Sequence, residues 1–270
     1  MTSKIIRGVR FNFKKTYAVC YIETFSDDLK NIIKQQLSSI CYGPSKASQP
    51  RKAYNYKNTV RSFLERYEKK AKNTKIGMIG ELLTHIFILQ YLAEFKTVSP
   101  FFNMEERSIT KGFDILLYSK NQNELWITEV KSGELQKDKT TNQTNNILLG
   151  KAKIDLKTRL NENKDTLWEN AINKATVALD NIKDTKEAVI SILGDIEDEI
   201  YEQKAVSTDK NVILVTSLFS SLKDELQENV IEKFYTLTSS EKIFRKVLVL
   251  SIQKNTYKKV VEFLKDEAEK

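Results

Sequence analysis

The chain has 270 residues, of which 40% are apolar and 30% charged, enough apolar content to build a core and too much for a disordered protein. It carries 44 Lys and Arg against 36 Asp and Glu, a net charge of +8, with no apolar run near the roughly 20 residues of a membrane span and no signal-peptide segment. A folded cytoplasmic protein is expected. With only Cys20, Cys41 and one histidine, His85, the composition excludes a Cys/His zinc site and leaves a nucleophilic triad only if His85 is its base; the two cysteines are expected to be reduced.

From the N-terminus, residues 17–25 are rich in β-branched and aromatic side chains and read as a strand. Ser26 then caps a helix whose apolar positions Leu29, Ile32, Ile33, Leu37 and Ile40 recur at helical spacing up to Gly43-Pro44. Residues 42–52, with two prolines, two serines and a glycine, are the best candidate linker. An amphipathic helix follows over 58–72, and then one over 76–95 that is apolar on nearly every side and so buried. Residues 113–118 and 124–131 form a strand, turn, strand signal, 132–146 read as a polar loop, and 148–160 as a helix. The acidic stretch 166–204 gives two helices broken near Asp184 or Gly194, and two short apolar runs near 211–217 and 246–252, each followed by a helix, read as buried strands of an α/β sheet.

Charge is unevenly placed. Residues 1–75 hold 17 Lys and Arg against 5 Asp and Glu, a net of +12, and the remainder is net −4. The basic run 51–75 is interleaved with Tyr54, Tyr56, Phe63 and Tyr67, a pattern that suits phosphate neutralisation with aromatics either packed inward or meeting bases. Arg61, Arg66 and Lys70 are its candidate DNA contacts. Lys151, Lys153, Lys157 and Arg159 are further candidates for holding phosphates, although alternate residues of a helix face different ways.

The chemistry concentrates in Lys111-Gly-Phe-Asp114 and Trp126-Ile-Thr-Glu129-Val-Lys131. Glu129 and Lys131 project from one face of a strand, about 7 Å apart along it, and a paired preceding strand puts Asp114 beside Glu129. Two carboxylates and a carbonyl suit Mg²⁺, and a neighbouring ammonium orients water or stabilises charge on a phosphate. The Glu/Asp-x-Lys triplet alone is weak: composition gives about five by chance and the chain has eight, but only Glu129 lies in a β-type run with a Gly-x-Asp strand before it. Upstream, Gly77 and Gly80 permit close approach of the buried helix to a sheet or ligand, and Glu81 and His85 share one of its faces at i and i+4. His85 is either a hydrogen-bonded core histidine or a support to the site.

Helical Glu81, strand Asp114 and Glu129-Val-Lys131, in that order, resemble the PD-(D/E)xK nuclease superfamily, with Phe113 where the motif's name has proline. More narrowly, Gly80-Glu-Leu-Leu-Thr-His85, Lys111-Gly-Phe-Asp114 and Trp126-Ile-Thr-Glu-Val-Lys-Ser132 look like the HamA nuclease family of the Hachiman anti-phage defence system and its relative AbpA. The resemblance implies an α/β restriction-endonuclease-like core over 58–270, its mixed sheet flanked by helices, with an insertion at about 166–204 and a small basic α+β extension over 1–57. It implies a Mg²⁺- or Mn²⁺-dependent deoxyribonuclease with Glu81, Asp114, Glu129 and Lys131 catalytic, the three carboxylates binding metal, and a helicase partner, HamB. No Gly-x-x-x-x-Gly-Lys-Ser/Thr occurs, so any ATP-driven movement belongs to another chain. A non-catalytic DNA-binding scaffold subunit and a restriction or recombination nuclease are the alternative readings.

Overall fold

The computed structural model describes residues 5–102, 112–162 and 164–270. Lys111 of the Lys-Gly-Phe-Asp motif lies outside them. The sheet is built from β1 (Val9–Lys14), β2 (Tyr17–Ile22), β3 (Phe95–Thr97), β4 (Ile115–Ser119), β5 (Glu124–Glu134), β6 (Asn211–Phe219) and β7 (Lys246–Lys254), in the order β1-β2-β7-β6-β5-β4-β3. The block β2-β7-β6-β5 is parallel, and β1 and the β5-β4-β3 meander are antiparallel to their neighbours. The helices are α1 (Asp27–Tyr42), α2 (Pro44–Ala47), α3 (Tyr56–Glu68), α4 (Lys72–Tyr91), α5 (Thr141–Asn161), α6 (Asp165–Ala178), α7 (Lys183–Tyr201), α8 (Glu228–Ser240) and α9 (Tyr257–Glu269).

Strand alternation divides the interior into two cores. On β2, Ala18, Cys20 and Ile22 face a layer containing α1, α3, α4 and α9, while Tyr17, Val19 and Tyr21 face α5 to α8. β6 is buried along its whole length, as a central parallel strand should be. Cys20 and Cys41 are free thiols in the first core. No described helix is long and apolar enough to cross a membrane.

Ser26 caps α1 through Leu29 N–H, as its sequence position indicates. Other boundaries differ. The stretch read as a linker is packed: Gly43 lies so close to Ala178 that a Cβ would come within 2.6 Å of its Cα, and Ser45 exchanges hydrogen bonds with Asn181. Residues 9–42 complete the sheet and the first core, because β2 pairs with β7 along six residues. The expected loop over 132–146 is half structured, since β5 runs to Glu134 and α5 begins at Thr141 behind a Thr140/Gln143 capping box. The acidic helices break at 179–182, beside Asp184 as one of the two expected positions had it, and Gly194 sits inside α7.

Candidate active site

The site forms where β4 begins, beside the middle of β5. Register sets Ile115 opposite Thr128, so Asp114 falls opposite Glu129, and its Oδ2 accepts the Val130 backbone N–H at 2.7 Å. Glu129 is 2% exposed. Its Oε1 accepts Lys131 Nζ at 2.7 Å, and its Oε2 accepts the Arg159 guanidinium. Lys131 also reaches Asp155 at 2.7 Å, and Arg159 donates its other nitrogen to Gly112 O at 2.9 Å. Asp155 and Arg159 are i and i+4 on α5, so one face of the helix that covers this side of the sheet braces the strand residues. Asp114, Glu129, Lys131, Asp155, Thr158 and Arg159 line a cleft of about 520 Å³.

Glu81 reaches this group from α4. A Cβ at Gly80 would stand 1.9 Å from Ser132 Oγ and 2.9 Å from Ser217 Oγ, so only glycine lets α4 lie this close to β5 and β6. Gly77 meets nothing within 4 Å and has no such role. Burial, then the Asp114 carboxylate, lift the Glu81 pKa well above the usual carboxylate range, against the pull of Lys174. Burial and Glu129 push Asp114 up to about 7, while the Val130 N–H, Arg159 and Lys131 oppose the rise. Burial draws Lys131 toward neutrality, but Glu129 and Asp155 more than offset this and hold its pKa above the ordinary lysine value. It is an ammonium at neutral pH.

His85 lies one turn beyond Glu81 and is fully buried. Among the described residues neither of its ring nitrogens has a hydrogen-bond partner, so the expected bond to Glu81 or a carbonyl is not made. It packs edge-on to Phe101 at 6.1 Å, and burial, then Lys174, lower its pKa to about 3. Lys174 itself, on α6, is lowered to about 8 by burial, with Glu81 and Asp114 pulling the other way.

The candidate DNA contacts separate. Lys151 is exposed on the α5 line of Asp155 and Arg159, at i, i+4 and i+8. Lys153 points away and pairs with Glu241 at 2.7 Å. Arg66 stacks on Phe102 at 3.9 Å, Arg61 bonds Ala268 O, and Lys70 has no ion-pair partner among the described residues. Phe63 and Tyr67 are core residues rather than base-stacking faces.

Sequence reasoning missed Asp155 and Lys174. Asp155 opens one of the Glu/Asp-x-Lys triplets set aside as chance, and its signal was the i, i+4 pair with Arg159 on the helix after the motif strand. Lys174 had no local signal.

Fold and site together define a mixed α/β protein with a carboxylate and lysine cluster where the antiparallel meander meets the parallel strands. The chain belongs to the HamA family, whose model matches residues 6–268, nearly its whole length. No curated protein matches it.

Proposed function

We propose that this chain is a metal-dependent deoxyribonuclease, the effector of a Hachiman-type anti-phage defence system working with a helicase partner. The carrying observation is the meeting of Asp114, Glu129 and Lys131 in one open cleft, with Glu81 of α4 near enough for the Asp114 charge to raise its pKa. Helix α4, the meander β3-β4-β5, helix α5 and parallel strand β6 follow in the order of a PD-(D/E)xK core.

The donor set fits a divalent cation. Asp114 is partly buried and Glu129 buried; desolvation and then repulsion from Glu129 raise the Asp114 pKa, and a cation between the two carboxylates would relieve that repulsion. Among the described residues no three acidic, His or Cys side chains cluster tightly enough to cage a metal. The pair would therefore hold Mg²⁺ or Mn²⁺ with help from water and substrate oxygens, Glu81 contributing through water. When bound, such an ion lowers the pKa of water and neutralises charge on the scissile phosphate.

The chain's own residues supply the rest. The Val130 N–H fixes the Asp114 carboxylate. Lys131, kept charged by Glu129 and Asp155, orients the attacking water and stabilises charge growing on the phosphate oxygens. Lys151 extends the cationic line along α5 toward the flanking phosphates.

The test is plasmid cleavage with and without Mg²⁺. Asp114→Ala, Glu129→Ala and Lys131→Ala should each lose cleavage in folded protein, and EDTA should abolish it. Full activity in a Glu129→Ala, Lys131→Ala double variant would sink the reading. Retained DNA affinity without any cleavage at any metal concentration would leave a scaffold subunit.

A further inference from the structure

Glu129 is buried, and both of its oxygens are taken by cations, Lys131 on one and Arg159 on the other. A buried carboxylate requires such compensation, and a metal approaching one with a cation on each oxygen must compete with those cations for its remaining lone pairs and meets their charge. The two partners are not equivalent. Lys131 is two residues along the same strand and is tied independently by Asp155 at 2.7 Å, so it stays in the cleft whatever Glu129 does. Arg159 arrives from α5, and its only other tie among the described residues is one neutral carbonyl, Gly112 O, two residues before Asp114. It opens onto the cleft.

We propose that Arg159 is the resting counter-cation of this site: it holds Glu129 while no metal is bound and yields it to a divalent cation, its guanidinium then free to grip a phosphate of the DNA. The inference rests on the nuclease reading and adds a positioning residue to it. A guanidinium suits both duties, because its planar fork matches carboxylate and phosphate alike. The exchange also limits the charge added to the site, since a divalent ion arriving as one monovalent partner leaves adds one positive charge where it would otherwise add two. Arg159 thereby makes metal entry and phosphate engagement linked events.

Direct Mn²⁺ binding to the full-length protein without DNA, followed by electron paramagnetic resonance of the free ion, tests this apart from catalysis. Arg159→Gln, which keeps a donor for Glu129 but no charge, should bind Mn²⁺ about tenfold more tightly than wild type, while Arg159→Lys stays close to wild type and Glu129→Gln loses the site. In single-turnover cleavage both Arg159 variants should need more DNA for half-maximal rate despite undiminished metal binding. Equal, weaker or absent Mn²⁺ binding in folded Arg159→Gln overturns the inference. A wild-type protein that binds Mn²⁺ through Glu129 but cuts no DNA defeats the nuclease reading and leaves the counter-cation role standing.

Discussion

A carboxyl whose pKa rises on folding keeps its proton to higher pH in the folded chain than in the unfolded one. Asp114 is such a group, near 3.9 when unfolded and about 7 when folded, so the folded chain binds more protons between those values and stability falls as pH climbs through them. Above pH 7 the full penalty remains. Asp114→Asn removes it, and in EDTA the variant's melting temperature should gain on wild type by about 5 °C more at pH 8 than at pH 5. A gain equal at both pH values would contradict the assignment. Lys254 has the opposite slope. It is fully buried at the end of β7, donates to Ser217 Oγ, lies 4.2 Å from the Phe219 ring, and is lowered by burial to about 7. The unfolded chain then binds more protons between about 7 and 10.4, so stability rises with pH across that window. Lys254→Met should stabilise most below pH 7, with the gain shrinking toward pH 10 in the same melting series.

At the level of the elements, the packing of α4 on the sheet carries Glu81 into the site. Gly80→Ala forces a Cβ into Ser132 and Ser217 and must lift the helix, an overpacking cost of about 1–3 kcal/mol that the roughly 1 kcal/mol helix propensity of alanine only partly offsets. Gly77→Ala meets nothing and should stabilise by up to about 1 kcal/mol. Urea midpoints of the two variants should move in opposite directions, and identical shifts would show that close approach is not what Gly80 provides.

These elements were unequally legible in the sequence. The change from helical to alternating periodicity between residues 76 and 131 exposed α4, β4 and β5, because their buried faces are apolar. The start of α5 was hidden by its own polar burial: Asn145 bonds Thr216 and Ser251 across the interface, so Thr141 to Asn146 reads as loop although the helix buries that face. In β1, Val9, Phe11 and Phe13 alternate with polar residues, but the strand is at the sheet edge and only partly covered, and β3 has three residues. Glu129, Asp114 and Lys131 were found because a hairpin is local. Asp155 and Arg159 carry an i, i+4 pattern on α5 but join them only through the placement of that helix, and Lys174 joins through the placement of α6, which no local pattern encodes.

Across the whole molecule, the N-terminal excess of positive charge is partly spent internally. Lys75 and Lys265 share Glu68, Lys69 takes Glu65, Lys72 takes Glu134, and Arg66 is committed to the Phe102 ring. The surface left to meet an anion comprises exposed positions such as Arg51, Lys52 and Arg61, together with the partly exposed Lys57 and Lys70. Arg66→Glu would therefore report on folding, and Arg61→Glu with Lys70→Glu is the informative pair. If this face tracks the DNA backbone, each lost contact should lower the slope of log affinity against log salt by about 0.9, so the double variant should lose about 1.8 on duplex DNA. Lys151→Glu should lose about 0.9 from its place beside the cleft, whereas Lys153→Glu, breaking the pair with Glu241, should leave the slope unchanged. Filter binding between 50 and 300 mM salt reads all three. An unchanged slope for Arg61→Glu, Lys70→Glu beside a reduced one for Lys151→Glu would confine DNA to the α5 side of the sheet and leave the N-terminal cations to an acidic protein surface.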